Sequence, residues 1–169
     1  FAVRGELAPS PFGGAEDRWL LRVGVRAKDI DREARPPLAL TFVVDTSGSM
    51  KENNRLELVK HALRLLVGQL DSRDMISIVG FSKEAQEVLP PTPANDVDSI
   101  ETALFGLQAN GGTNAEIGLR LGYEVASRIA PVESAQRRVI FLSDGVANLG
   151  DTDQDRIADD VKRFADGGI

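Results

Sequence analysis

The sequence predicts an α/β fold: a doubly wound, mostly parallel sheet with helices on both faces, preceded by an N-terminal β-hairpin. Three observations predict it. Leu38–Val44 is an apolar run ending in polar Asp45, which suits a central strand buried on both faces, and Val139–Leu142 is another short apolar strand, ending in Ser143-Asp144-Gly145. Between such runs lie segments whose apolar residues recur at helical spacing. Strands alternating with helices in this way pair most simply as parallel strands joined by crossover helices.

Phe1–Leu7 and Trp19–Ala27 read as strands, the second alternating through Leu21, Val23 and Val25. Pro9, Pro11, Gly13 and Gly14 lie between them as a loop, which gives an antiparallel hairpin. Pro36-Pro37 breaks the chain and divides it into a hairpin extension, residues 1–37, and a main domain, residues 38–169. Leu38–Val44 is the central strand. Arg55–Leu70 carries Leu56, Val59, Leu63, Leu66 and Leu70 on one helical face. Met75–Phe81 and Ala85–Leu89 are the next strands, with Pro90, Pro91 and Pro93 stopping the second. Asn95 caps a helix bearing Val97, Ile100, Leu104 and Leu107. Asn114–Ile129 has Ile117, Leu121 and Val125 on one face, and Gly118 and Gly122 on that side let it lie close to a sheet. After the strand Val139–Leu142 comes a final helix, Asp153–Ala165, with Ile157, Val161 and Phe164 inward and Gly167-Gly168 as its stop.

Composition removes several functions. The 169 residues, 42% of them hydrophobic, suffice for one domain with a full core. Acids outnumber bases 26 to 20, and the bases are scattered, so no patch suits a nucleic-acid backbone. With no cysteine there is no disulfide, zinc–thiolate site or thiol nucleophile, although this does not fix the compartment. No apolar run approaches the ~20 residues of a transmembrane helix. Starting at Phe1, the chain reads as a mature or trimmed form.

In open α/β sheets ligands bind beyond the carboxyl ends of the strands, where strand order reverses, and the chemically interesting residues follow the strands. Asp45-Thr46-Ser47-Gly48-Ser49 succeeds the first buried strand and sets one carboxylate and two hydroxyls on a tight loop, with Gly48 free to take an unusual backbone angle. Thr113 follows Gly111-Gly112 at a helix start, and Asp144-Gly145 follows the last long strand. Oxygen ligands of this kind suit Mg²⁺, Mn²⁺ or Ca²⁺. From about Pro37 to the C-terminus, these three ordered motifs resemble the von Willebrand factor type A family and its metal-ion-dependent adhesion site. The resemblance implies a Rossmann-like fold, no enzymatic activity, and a divalent cation, Mg²⁺ first. Ser47, Ser49 and Thr113 would be hydroxyl ligands, with Asp45 and Asp144 acting directly or through water. It implies a protein partner that presents Asp or Glu to the metal. The hairpin is similar to an extension in a bacterial subgroup of the family, and the resemblance alone suggests an exported or membrane-associated location.

Each motif has a plainer explanation. Thr113 and Glu116 form a Thr-x-x-Glu capping box, Ser47 or Ser49 could cap the next helix, and Asp45 could be a strand-end turn residue. Asp151, Asp153 and Asp155 do not make a calcium loop, because Arg156 and Lys162 stand where Gly and Glu are required. Thr152 with Asp155 reads as another capping box. His61, the only histidine, lies with Glu57, Lys60 and Arg64 on a solvated helix face, which leaves no catalytic Ser/His/Asp set.

The rival class is a Mg²⁺-dependent phosphatase or phosphotransferase of the haloacid-dehalogenase type, with Asp45 as nucleophile and Ser143–Asn148 as the later acidic segment. Against it, Ser47 stands where that class carries a second Asp as general acid. Lys83 sits in a turn, and Thr113 opens a helix.

From Leu38 onward there are only roughly 130 residues, short for the family the chain resembles. Its members continue with further strands, so a truncated or proteolysed fragment is expected. Arg138–Ser143 would then be an apolar sheet edge open to self-association, covered by a second copy, a swapped segment or the hairpin.

Overall fold

The computed structural model describes residues 2–10, 18–26, 35–129, 135–145, 161, 162 and 169. The chain forms two compact units, Phe1–Arg35 and Pro36–Ile169. In the first, β1 (Ala2–Pro9) and β2 (Trp19–Arg26) pair antiparallel, from Ala2 opposite Arg26 to Pro9 opposite Trp19. Strand alternation sorts this ribbon into two faces. Val3, Gly5 and Leu7 lie across from Val25, Val23 and Leu21 on one, while on the other Glu6 bridges Arg4 at 3.1 Å and Arg22 at 3.5 Å. The expected loop residues Pro11, Gly13 and Gly14 lie outside the described residues.

The second unit runs β3 (Leu38–Asp45), a 3₁₀ segment (Gly48–Asn54), α1 (Arg55–Val67), β4 (Met75–Phe81), β5 (Ala85–Pro93), α2 (Val97–Gly106), α3 (Ala115–Arg128) and β6 (Gln136–Leu142). The sheet order is β5-β4-β3-β6, with β3 parallel to both neighbours and β5 antiparallel to β4. Leu40, Phe42 and Val44 pack with Leu56, Leu63, Ile100 and Leu104, so α1 and α2 cover one face. Val43, Val79 and Phe81 pack with Val125 of α3 on the other. The doubly wound, mostly parallel architecture is thus the observed one.

Two buried polar groups hold β3 in place. Thr41, within the apolar run, shares a 2.8 Å hydroxyl hydrogen bond with Ser77, its register partner on β4. Asp74, fully buried, accepts the N–H groups of Leu38 (2.9 Å) and Asp71 (2.8 Å), which pins the start of β3 to the turn before β4. Buried carboxylates need such partners.

Several elements differ from expectation. β5 does not stop at the prolines but continues to Pro93, because it is an edge strand and its register against β4 shifts between Ile76 and Ile78, opposite Pro90 and Pro91. A residue without an N–H is tolerated at an edge and at a bulge. Helix α1 ends at Val67, before Gly68, although Leu70 still packs against the core. Asp96, not Asn95, caps α2, accepting from the backbone N–H and hydroxyl of Ser99. Lys60 is buried and not on a solvated face: its stem lies inward and its ammonium reaches Glu57 at 2.8 Å. Arg64 bonds Glu101 on α2, whereas His61 is exposed. The predicted helix Asp153–Ala165 falls outside the described residues except for 161 and 162, which are helical. Among the described residues of the second unit β6 pairs with β3 alone. No helix among them is long and apolar enough to cross a membrane.

The glycines of α3 fix how closely that helix meets the sheet. A Cβ at Gly118 would lie 2.6 Å from Phe81 Cγ, and one at Gly122 would lie 2.3 Å from Val43 Cγ2. Gly122→Ala is therefore expected to destabilise by about 1–3 kcal/mol, overpacking outweighing alanine's better helix propensity. Gly106→Ala, with nothing within 4 Å, serves as control. Urea unfolding checks this, with Val43→Ala expected to relieve part of the Gly122→Ala defect.

Candidate metal centre

Strand β3 connects through α1 to β4 on one side, whereas its other neighbour, β6, arrives through α3. The carboxyl ends of β3 and β6 therefore lie side by side at a switch point, with Val44 opposite Leu142. The residues that follow, Asp45 and Ser143-Asp144, emerge at the same sheet edge.

Asp45 is fully buried, and both its oxygens are engaged: Oδ1 accepts the N–H of Ser47 (2.8 Å), and Oδ2 accepts the hydroxyl of Ser143 (2.8 Å). It does serve as a strand-end turn residue, and it also ties the β3 loop to the β6 loop. Ser47 and Ser49 turn toward each other, Oγ to Oγ 3.1 Å. Neither acts as a helix cap. Ser47 makes no capping bond to the 3₁₀ segment, and α1 is preceded by Asn54, which also makes none.

The Gly111-Gly112-Thr113 loop is drawn to the same place by main-chain bonds. Gly48 N–H donates to Gly111 O (2.9 Å), Asn110 N–H to Thr46 O (2.6 Å), and Asn114 N–H to Ser82 O (2.7 Å). Gly48 does not use its freedom to take a positive φ; among the described glycines positive φ falls on Gly111 (80°) and Gly145 (87°). Gly48 is small for another reason, since a Cβ there would sit 3.2 Å from Gly111 O.

Thr113 lies one residue before the cap of α3. The cap of α3 is Asn114, whose side chain accepts the N–H of Ile117, so Thr113 is not the capping residue. Its Oγ1 is buried and has no hydrogen-bond partner. Buried hydroxyls are rarely left so, because desolvation is then uncompensated. Asp144 completes the set: it is 9% exposed, with Oδ2 taking a 2.7 Å ion pair from Arg55.

The donor set fits a hard divalent cation: hydroxyls of Ser47, Ser49 and Thr113, and carboxylates of Asp45 and Asp144. No group of three or more His, Cys, Asp or Glu suited to a metal occurs among the described residues, so any cation here would depend on the hydroxyls. Two members of the constellation, Ser143 and Arg55, are not singled out by the sequence. Ser143 was within reach of it, as the neighbour of Asp144. Arg55 carried no signal beyond opening a helix.

The chain matches the von Willebrand factor type A domain family over residues 40–146. It is 37% identical over its whole length to YfbK, an uncharacterized protein of Escherichia coli K12, and covers 29% of that protein. The chain thus spans about a third or less of the first curated relatives it matches. A von Willebrand factor type A structure from Catenulispora acidiphila superposes with a TM-score of 0.64 at 21% identity, covering 98% of this chain and 38% of that one. The pilus adhesin SpaC of Lactobacillus rhamnosus GG superposes with 0.57 at 20% identity, covering 86% and 19%.

The orphaned hydroxyl makes a prediction that needs no ligand. In chelated protein, Thr113→Val is expected to stabilise by about 1 kcal/mol, because it removes an unsatisfied buried group. Thr41→Val, which strips Ser77 of its partner, is expected to cost about 1–3 kcal/mol. Paired urea melts in EDTA test both, and equal losses would count against an orphaned Thr113.

Proposed function

We propose that this chain, which belongs to the von Willebrand factor type A domain family, is a cation-dependent protein-binding module and not an enzyme. The observation that carries the reading is the buried, partnerless Oγ1 of Thr113, on a loop bonded through Gly111 to the Ser47–Ser49 loop. Ser47, Ser49 and Thr113 would hold a divalent cation, Mg²⁺ first, with Asp45 and Asp144 contributing directly or through water. When bound, such an ion supplies a hard positive centre able to accept a carboxylate oxygen from another molecule.

The chain's own residues shape that role. Three neutral hydroxyls add no charge, so two carboxylates only balance a divalent ion and leave it with appetite for one more acid. The partner accordingly presents Asp or Glu, and the loops around the centre decide which protein it is. The pilus adhesin SpaC shares this fold, in keeping with an adhesive use.

Phosphoryl transfer from Asp45 is disfavoured by geometry. A nucleophilic carboxylate needs an accessible oxygen, whereas Asp45 is fully buried with both oxygens hydrogen-bonded. Ser47, in the position of a general acid, is turned onto Ser49.

Mg²⁺ or Mn²⁺ at ~100 times its dissociation constant is expected to add about 2.7 kcal/mol of stability. That raises the melting temperature by roughly 5–10 °C for a chain of this size. Asp45→Asn should abolish most of the rise, and the chelated protein provides the baseline. Melting curves that do not move in millimolar Mg²⁺ or Mn²⁺ would sink the reading, and Asp45-dependent turnover of an aryl phosphate would replace it with the enzymatic one. A captured protein partner is expected to be released by EDTA and not retained by Thr113→Val.

A further inference from the structure

We infer that Arg55 is a positioning residue that holds the two arms of the candidate centre in register and thereby sets its affinity for a cation. The inference rests on the divalent-cation reading given above. Arg55 Nη1 donates to Asp144 Oδ2 at 2.7 Å and to the main-chain oxygen of Ser49 at 3.2 Å, and lies 3.6 Å from Glu52 Oε2. One guanidinium thus joins the loop after β3 to the loop after β6, across 89 residues of sequence.

The local backbone is bent to put it there. The 3₁₀ segment breaks at Glu52 and Asn53, and Asn53 and Asn54 adopt φ of 51° and 57° in succession. The left-handed region is costly for residues other than glycine, and asparagine tolerates it best. Two such residues in a row turn the chain so that α1 begins beside Ser49. The position is also unfavourable for a cation in itself, since the amino end of a helix carries partial positive charge. The ion pair with Asp144, whose side chain is 9% exposed, offsets that cost.

A cation at this place could act in two opposite ways. It could compete with a metal for Asp144, in which case removing it would tighten metal binding. Or it could orient a ligand, as partners behind metal-bound carboxylates do. The bond to Ser49 O favours the second. A main-chain oxygen of the loop gains nothing from charge competition but is held in place by this contact. A carboxylate can also accept several hydrogen bonds at once, so a donor on Oδ2 does not exhaust Asp144.

The test is calorimetric titration of the whole chain with Mn²⁺ alone. Arg55→Met is expected to weaken binding about 10–100-fold. Arg55→Lys keeps the charge but, with a shorter reach and no rigid guanidinium plane to hold one nitrogen between Asp144 Oδ2 and Ser49 O, is expected to fall between. Arg64→Met, which breaks the α1–α2 ion pair with Glu101 far along the same helix, is expected to bind Mn²⁺ as the parent does. Equal or tighter binding by Arg55→Met overturns the inference and leaves the cation-binding reading standing. A parent protein that takes up no Mn²⁺ overturns both. If Arg55→Met does not fold, Arg55→Lys decides the matter: unchanged affinity overturns the inference and weakened affinity in a protein of parental melting temperature supports it.

Discussion

Strand β3 is buried on both faces and hydrogen-bonded along both edges, and the rest of the second unit follows from that burial. Its main-chain groups must all be paired where no water reaches, and β4 and β6 supply the partners in parallel register. Parallel neighbours demand crossovers, and the crossovers bring α1 and α2 to one face and α3 to the other. Because β4 and β6 flank β3 through connections on opposite sides, the carboxyl ends open into a crevice lined by loops. Polar residues that cannot survive within β3, apart from the Thr41–Ser77 pair, are concentrated where it ends.

That crevice is held together by main chain more than by side chains. Bonds from Gly48 to Gly111 and from Asn110 to Thr46 fasten two loops whose own sequences are short and polar. Asp45 then reaches Ser143, and Arg55 reaches Asp144, so four separate stretches of chain converge. The close approach rests on small residues: Gly48 beneath Gly111 O, and Gly118 and Gly122 of α3 against Phe81 and Val43. A helix held so near the sheet places the loop that precedes it, with Thr113, against the end of β3. The packing that stabilises the domain is therefore the same packing that leaves a hydroxyl without a partner, an unsatisfied group of the kind a ligand can redeem.

Most of the architecture was legible in the sequence because it is written in local periods. Two-faced burial produces continuous apolar runs, and one-faced burial produces the 3.6-residue spacing of α1 and α3. The candidate ligands Asp45, Ser47, Ser49, Thr113 and Asp144 stood out because each follows a strand or glycine loop in order. What the local pattern does not carry is decided by distant contacts. Prolines 90, 91 and 93 signal a strand end until the edge position and the register shift of β5 are known. Lys60 looks like a surface residue until the packing of α1 buries its stem. Thr113 and Glu116 spell a capping box, yet Asn114 takes the cap, because one residue of offset depends on how the loop is anchored to Ser82. Ser143 and Arg55 find their partners 98 and 89 residues away, and separations of that size leave no pattern in a local window. By itself the sequence determined most of the described elements, their apolar faces and the chemical types gathered at the strand ends. Only the tertiary structure decided which of those groups are bonded to one another and which one is left over, since hydrogen-bond satisfaction is settled between segments and not within them.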